Sequence, residues 1–97
     1  MNNSPSQIND SHYFMCTITE RNNGCDYDIN FLMTIPAKDS PDDRLQQIAL
    51  TFRGDEGDLS EDGYRVDNGD GTMVASWGHK PISPLEFSVM KKYLSVL

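Results

Sequence analysis

Fifteen carboxylates dominate the reactive chemistry of this 97-residue chain, and they are unevenly spread. Seven of them, Asp55, Glu56, Asp58, Glu61, Asp62, Asp67 and Asp70, crowd into residues 55–70 against one base, Arg65. Such a cluster can ligate a hard cation, share protons for acid–base work, or face a row of Lys and Arg. The cation reading has a definite form. Asp58-Leu59-Ser60-Glu61-Asp62-Gly63 matches the first six positions of a calcium loop, with oxygens at positions 1, 3 and 5 and Gly at 6. The match then fails, because Gly69 stands where the bidentate Glu of position 12 belongs. His12 and His79 are isolated in sequence, and Cys16 and Cys25 fit no zinc spacing. No metal and no cofactor is expected.

Catalysis needs a nucleophile, a base and an orienting group that can meet. The chain has no G-x-S-x-G, no HExxH, no phosphate-cradling glycine loop and no C-x-x-C. Cys16 falls on the apolar side of a strand pattern, which makes it a packing residue with a free thiol. A non-enzymatic protein is the expectation.

The elements that would position these residues are legible. Residues 1–11 are polar and read as a loose N-terminal arm, with a single α+β domain over 12–97. Phe14, Cys16 and Ile18 alternate with Tyr13, Met15, Thr17 and Thr19, the period-two pattern of a half-buried strand. Asn23-Gly24 then predicts a type I′ hairpin turn, since both residues tolerate positive φ. With that turn at the tip, Ile18 faces Ile29, Cys16 faces Phe31 and Phe14 faces Met33, so turn chemistry and apolar alternation agree on one register.

Ser40-Pro41-Asp42-Asp43 reads as a helix start, with a hydroxyl cap, Pro at the first helical position and acids on the positive dipole end. Leu45, Ile48, Ala49 and Phe52 follow on one helical face. Residues 55–63 read as an exposed loop or a frayed turn. A second hairpin is expected around Gly69-Asp70, with Val66 facing Met73 and Tyr64 facing Ala75. Finally, Ser83-Pro84-Leu85-Glu86 is a capping box that leads Phe87, Met90, Tyr93, Leu94 and Leu97 onto one stripe. The predicted order is ββαββα: an antiparallel sheet of about four strands with two helices packed on one face.

Charge placement carries the functional argument. Of a formal net charge of −7, residues 55–70 alone carry −6, with seven acids against one base. Mutual repulsion among these acids costs stability, so folding does not require their concentration. Asp26 and Asp28, near the first hairpin tip, can extend the same surface. Carboxylates on alternate strand residues repeat at roughly 6.5–7 Å, a spacing that suits Lys and Arg arranged for phosphates. An acidic chain is a poor direct ligand for nucleic acid or an anionic membrane, and its electrostatic complement is a basic protein surface. No apolar run approaches the ~18 residues of a membrane helix, and the start has no signal-peptide pattern, so a cytoplasmic monomer is expected.

In overall character, with fewer than 100 residues, the acidic run DEGDLSED and no catalytic set, the chain resembles the small acidic anti-CRISPR proteins that act as DNA mimics, in particular the type I-F inhibitors. The resemblance implies a phage or mobile-element inhibitor in the host cytoplasm. It would occupy the basic PAM-reading site on the large subunit of a CRISPR–Cas surveillance complex and block target DNA. Its binding residues would be Asp55, Glu56, Asp58, Glu61, Asp62, Asp67 and Asp70 with Asp26 and Asp28, and reversing Asp58 and Asp62 would abolish inhibition without loss of stability. Trp77 and Tyr64 are either anchors for such a partner or core residues, and Trp77 reads better as core. The alternative is an interaction or regulatory module, of anti-restriction or toxin–antitoxin type, that uses an apolar face.

Overall fold

The computed structural model describes residues 11–52, 54 and 56–97. Strands β1 (Ser11–Asn22) and β2 (Cys25–Pro36) form the long first hairpin, followed by helix α1 (Pro41–Leu50). Two short strands, β3 (Asp58–Leu59) and β4 (Val66–Asp67), precede the long β5 (Thr72–Ile82) and helix α2 (Pro84–Met90). The described strands make one five-stranded antiparallel sheet in the order β2-β1-β5-β4-β3. The class is α+β, as expected, but the sheet gains a strand, and the element order is ββαβββα. The expected arm, 1–11, lies outside the described residues except for Ser11, which begins β1.

The first hairpin has the register that its turn dictates. Asn22 faces Cys25, and Ile18–Ile29, Cys16–Phe31 and Phe14–Met33 are direct partners. Asn23 and Gly24 both adopt positive φ, 54° and 79°, as a type I′ turn requires. Because direct partners share a face, Phe14, Cys16, Ile18, Phe31, Met33 and Ile35 all project to one side, where Leu45 and Ala49 of α1 close over them. Val66 and Val74 complete this core, and each such side chain contributes roughly 1.5–3 kcal/mol by leaving water. Ser40 caps α1 by accepting from the Asp43 N–H at 3.3 Å.

The two helices do not share a face. Phe87 of α2 packs on Tyr13, with ring centroids 4.7 Å apart, and Tyr13 alternates with Phe14 to the opposite side of β1. Leu32, fully buried, lies on that second side too, apart from the main cluster. The α2 stripe is also shorter than its spacing predicts. The capping box forms, with the Glu86 N–H donating to Ser83 Oγ at 3.1 Å and the Ser83 N–H to Glu86 Oε1 at 2.9 Å. The helix nevertheless stops at Met90, and the chain turns so that Val96 pairs with Leu32 at the rim of β2. Burying the Leu32 side chain and satisfying its backbone outweigh two more turns of helix.

The second hairpin differs by one residue from its expected register. Val66 faces Val74, and Asp67 faces Met73. Asp70 accepts hydrogen bonds from the backbone N–H and the hydroxyl of Thr72, which lengthens the turn. The slip buries two valines and moves Met73 to the opposite face.

Candidate functional site

The acidic surface is built on the face that α1 leaves uncovered. Alternation along β1 puts Thr17, Thr19 and Arg21 there, and their partners Asn30, Asp28 and Asp26 join them from β2. Thr17 donates to Asn30 Oδ1 at 2.7 Å and Thr19 to Asp28 Oδ1 at 2.8 Å. Arg21 grips Asp26 with two hydrogen bonds, Nε to Oδ1 at 2.7 Å and Nη2 to Oδ2 at 3.2 Å. That guanidinium holds the Asp26 carboxyl below its ordinary range.

Pairing carries the same row across the whole sheet. Asp26 faces Arg21, Arg21 faces Met73, Met73 faces Asp67, and Asp67 faces Asp58. Four strand intervals of about 4.8 Å separate Asp26 from Asp58, or roughly 19 Å. The carboxylates are not an even file of phosphate-like charges. They form two groups, Asp26 with Asp28 on β2 and Asp58 with Asp67 on β3 and β4, with the Arg21 cation between. Asp58 and Asp67 are exposed and directly opposed, an arrangement that repulsion disfavours.

The remaining predicted residues divide by environment. Glu56 and Glu61 are exposed outside the strands, while Asp55 lies outside the described residues. Asp62 is committed to its own loop: Oδ1 accepts from the Ser60 hydroxyl at 2.5 Å and the Tyr64 N–H at 3.1 Å, and Oδ2 meets Arg65 Nη2 at 3.2 Å. The Ser60 hydroxyl first, then the Tyr64 amide and Arg65, hold its carboxyl low. Reversing Asp62 therefore breaks a loop as well as a charge, which corrects the expectation that the Asp58 and Asp62 pair tests binding alone. Asp70 likewise organises the β4–β5 turn, and Asp67 Oδ1 caps it by accepting from the Gly69 N–H at 2.9 Å.

The two aromatic candidates part company. Trp77 is half-buried against the α1-side core, so it is a packing residue. Tyr64 is 72% exposed within the acidic loop, where its ring is available to a partner.

One constellation is invisible in the sequence. Cys16 and His79 are direct partners on β1 and β5, and His79 Nε2 lies 3.0 Å from Asp42 Oδ1 in the first turn of α1. A cysteine thus stands beside a histidine in strand register and that histidine meets a carboxylate, the residue types of a nucleophilic site. The chemistry does not follow. Cys16 is fully buried, burial pushes its thiol up to about 11, and His79 Nδ1 has no hydrogen-bond partner among the described residues. A buried protonated thiol out of its base's reach is a core residue. His79 instead pins α1 to the sheet and sets its ring edge-on to Phe14 at 5.2 Å. Among the described residues no three His, Cys, Asp or Glu side chains gather as a cation site would require, and no helix is long and apolar enough to cross a membrane.

No protein-family model, curated protein or solved structure matches this chain.

Proposed function

We propose that the protein is a non-enzymatic inhibitor that sets its acidic sheet face into a basic DNA-reading cleft and excludes duplex DNA. The target class is the one its overall character suggests, the PAM-reading large subunit of a bacterial CRISPR–Cas surveillance complex, met as a monomer in the host cytoplasm. The observation that carries this reading is the opposed pair Asp58 and Asp67, exposed and without an ion pair among the described residues, at the end of a row that begins at Asp26. Folding gains nothing from two like charges face to face, so a partner's cations are the natural source of compensation. Glu56, Glu61 and Asp28 widen the anionic surface, and Tyr64 offers an aromatic contact for specificity. Arg21 and Arg65 neutralise Asp26 and Asp62 in part, so the docking surface is narrower than the sequence count of acids implies.

The test is capture of the surveillance complex by the tagged protein, repeated with competing duplex DNA and with rising salt. Recovery of the large subunit, reversed by DNA and weakened steeply by salt, is expected, because exposed charges are screened over about 8 Å at physiological ionic strength. Recovery that neither DNA nor salt disturbs would overturn the reading.

A second reading has its own observation. Leu85 and Val89, one turn apart on α2, are 75% and 51% exposed, and Tyr93 beyond the helix is 83% exposed. An interaction module using that apolar strip would bind with little dependence on salt.

A further inference from the structure

Strand β2 stands at the rim of the sheet, with β1 on its inner side. Along an antiparallel ladder, residues alternate between those whose N–H and C=O meet the partner strand and those whose groups point away from it. Leu32 belongs to the outward set. Its N–H donates to the Ser95 carbonyl at 2.8 Å, and its carbonyl accepts from the Leu97 N–H at 2.8 Å. Stepping back by twos from Leu32 puts Asn30, Asp28 and Asp26 in the same set, and all three are exposed. Among the described residues no strand pairs with them on that side.

An open rim of unpaired N–H and C=O groups is a template for another strand. This rim already accepts one at Leu32, from the chain's own C-terminal segment. Side-chain chemistry then selects the occupant of the open stretch. Asp26 and Asp28 project to the acidic face, while Tyr27, 56% exposed, and Ile29 project to the other. A second copy pairing β2 with β2 about a two-fold axis would set these carboxylates against each other, which is unfavourable. A segment with Lys or Arg at alternate positions would oppose them correctly and lay its intervening apolar residues beside Tyr27 and Ile29.

We propose that the β2 rim from Asp26 to Asn30 is a strand-addition site for an extended basic segment of a partner protein. The site stands on β2 and on backbone pairing, so it does not depend on the DNA-mimic reading, although both use Asp26 and Asp28. The test is amide hydrogen exchange followed by NMR on the full chain, with a short peptide alternating Lys and Val at about millimolar concentration. Exchange at Asp26, Asp28 and Asn30 is expected to slow about tenfold, while Tyr27 and Ile29, already paired to β1, stay unchanged. The same peptide N-methylated along its backbone keeps its charge but cannot donate, and it is expected to give no slowing. Asn30→Pro removes one outward N–H and leaves both carboxylates, a change an edge strand tolerates, and it is expected to abolish the effect. No slowing at the three amides, or equal slowing by the methylated peptide, would overturn the site. Asp58→Asn with Asp67→Asn is expected to leave peptide binding intact, so this result and the DNA competition fail independently.

Discussion

Asp58 and Asp67 face each other across the two shortest strands of the sheet, both exposed, and neither makes an ion pair among the described residues. Elsewhere the chain spends its carboxylates on structure: Asp26 on Arg21, Asp62 on Ser60, and Asp70 on Thr72. Asp67 Oδ1 accepts from the Gly69 N–H, a bond an asparagine can keep, but the two facing charges have no ion-pair partner among the described residues, which makes the pair the sharpest probe of what the acidic face is for.

Replacing both by Asn should leave the melting temperature level or slightly higher, since a like-charge cross-strand pair costs up to about 1 kcal/mol. Capture of a basic partner should be lost in the same protein. A fall in melting temperature comparable to that of a core truncation would assign these carboxylates to folding.

The register of the second hairpin is open to a paired comparison. Val74→Ala should destabilise by about 1–3 kcal/mol, because Val74 is fully buried against Val66. Met73→Ala, on the other face, should cost clearly less. Urea midpoints measure both, and the reverse order would restore the Val66–Met73 pairing.

Gly57 is buried where no side chain fits. A Cβ there would lie 2.5 Å from Val66 Cγ1 and 3.0 Å from the Asp67 carbonyl oxygen. Gly57→Ala is therefore expected to destabilise by about 1–3 kcal/mol through overpacking, while Gly78→Ala, with nothing within 4 Å, should be tolerated. Chemical denaturation of the two variants gives the contrast, and equal stability would show that β3 yields without strain.

Acid should loosen the fold by a defined route. Asp26, Asp62 and Glu86 have folded pKa values held below the ordinary range by Arg21, by Ser60, and by the Ser83 N–H respectively. A carboxyl lowered in the folded state stabilises it above the unfolded pKa, and that contribution is lost as pH falls through the folded value. Melting temperature should therefore drop below about pH 4, modestly, because all three groups are exposed and screened. Asp62→Asn should flatten part of that drop, and a curve parallel to that of the unmodified chain would remove Asp62 from the account.

The two thiols should differ in reactivity. Cys25 is exposed beside the hairpin turn, whereas Cys16 is buried and its thiol is raised to about 11. A maleimide at neutral pH is expected to label one site in the folded protein and two after denaturation. Labelling of Cys16 in the native state would reveal an opening of the β1–α1 core and reopen its pairing with His79 as chemistry.

What the sequence determined by itself was local. Asn23-Gly24 admits one tight turn, and the alternation of Phe14, Cys16 and Ile18 admits one register, so the first hairpin follows from two independent short-range signals. The Ser40 and Ser83 helix starts follow from capping chemistry within four residues. Tertiary structure decided whatever depends on competition between distant groups. Val66 and Val74 shifted the second hairpin by a residue because burying both outweighed the turn chemistry read around Gly69 and Asp70. Leu32 drew the C-terminal segment to the β2 rim and ended α2 at Met90, because a buried edge residue must satisfy its backbone. The helices took opposite faces because Tyr13 and Leu32, like Phe14 and Phe31, needed cover. The acids were countable from the start. Which of them remain unspent was set by Arg21, Ser60, Arg65 and Thr72, partners that only the folded chain brings within hydrogen-bond reach.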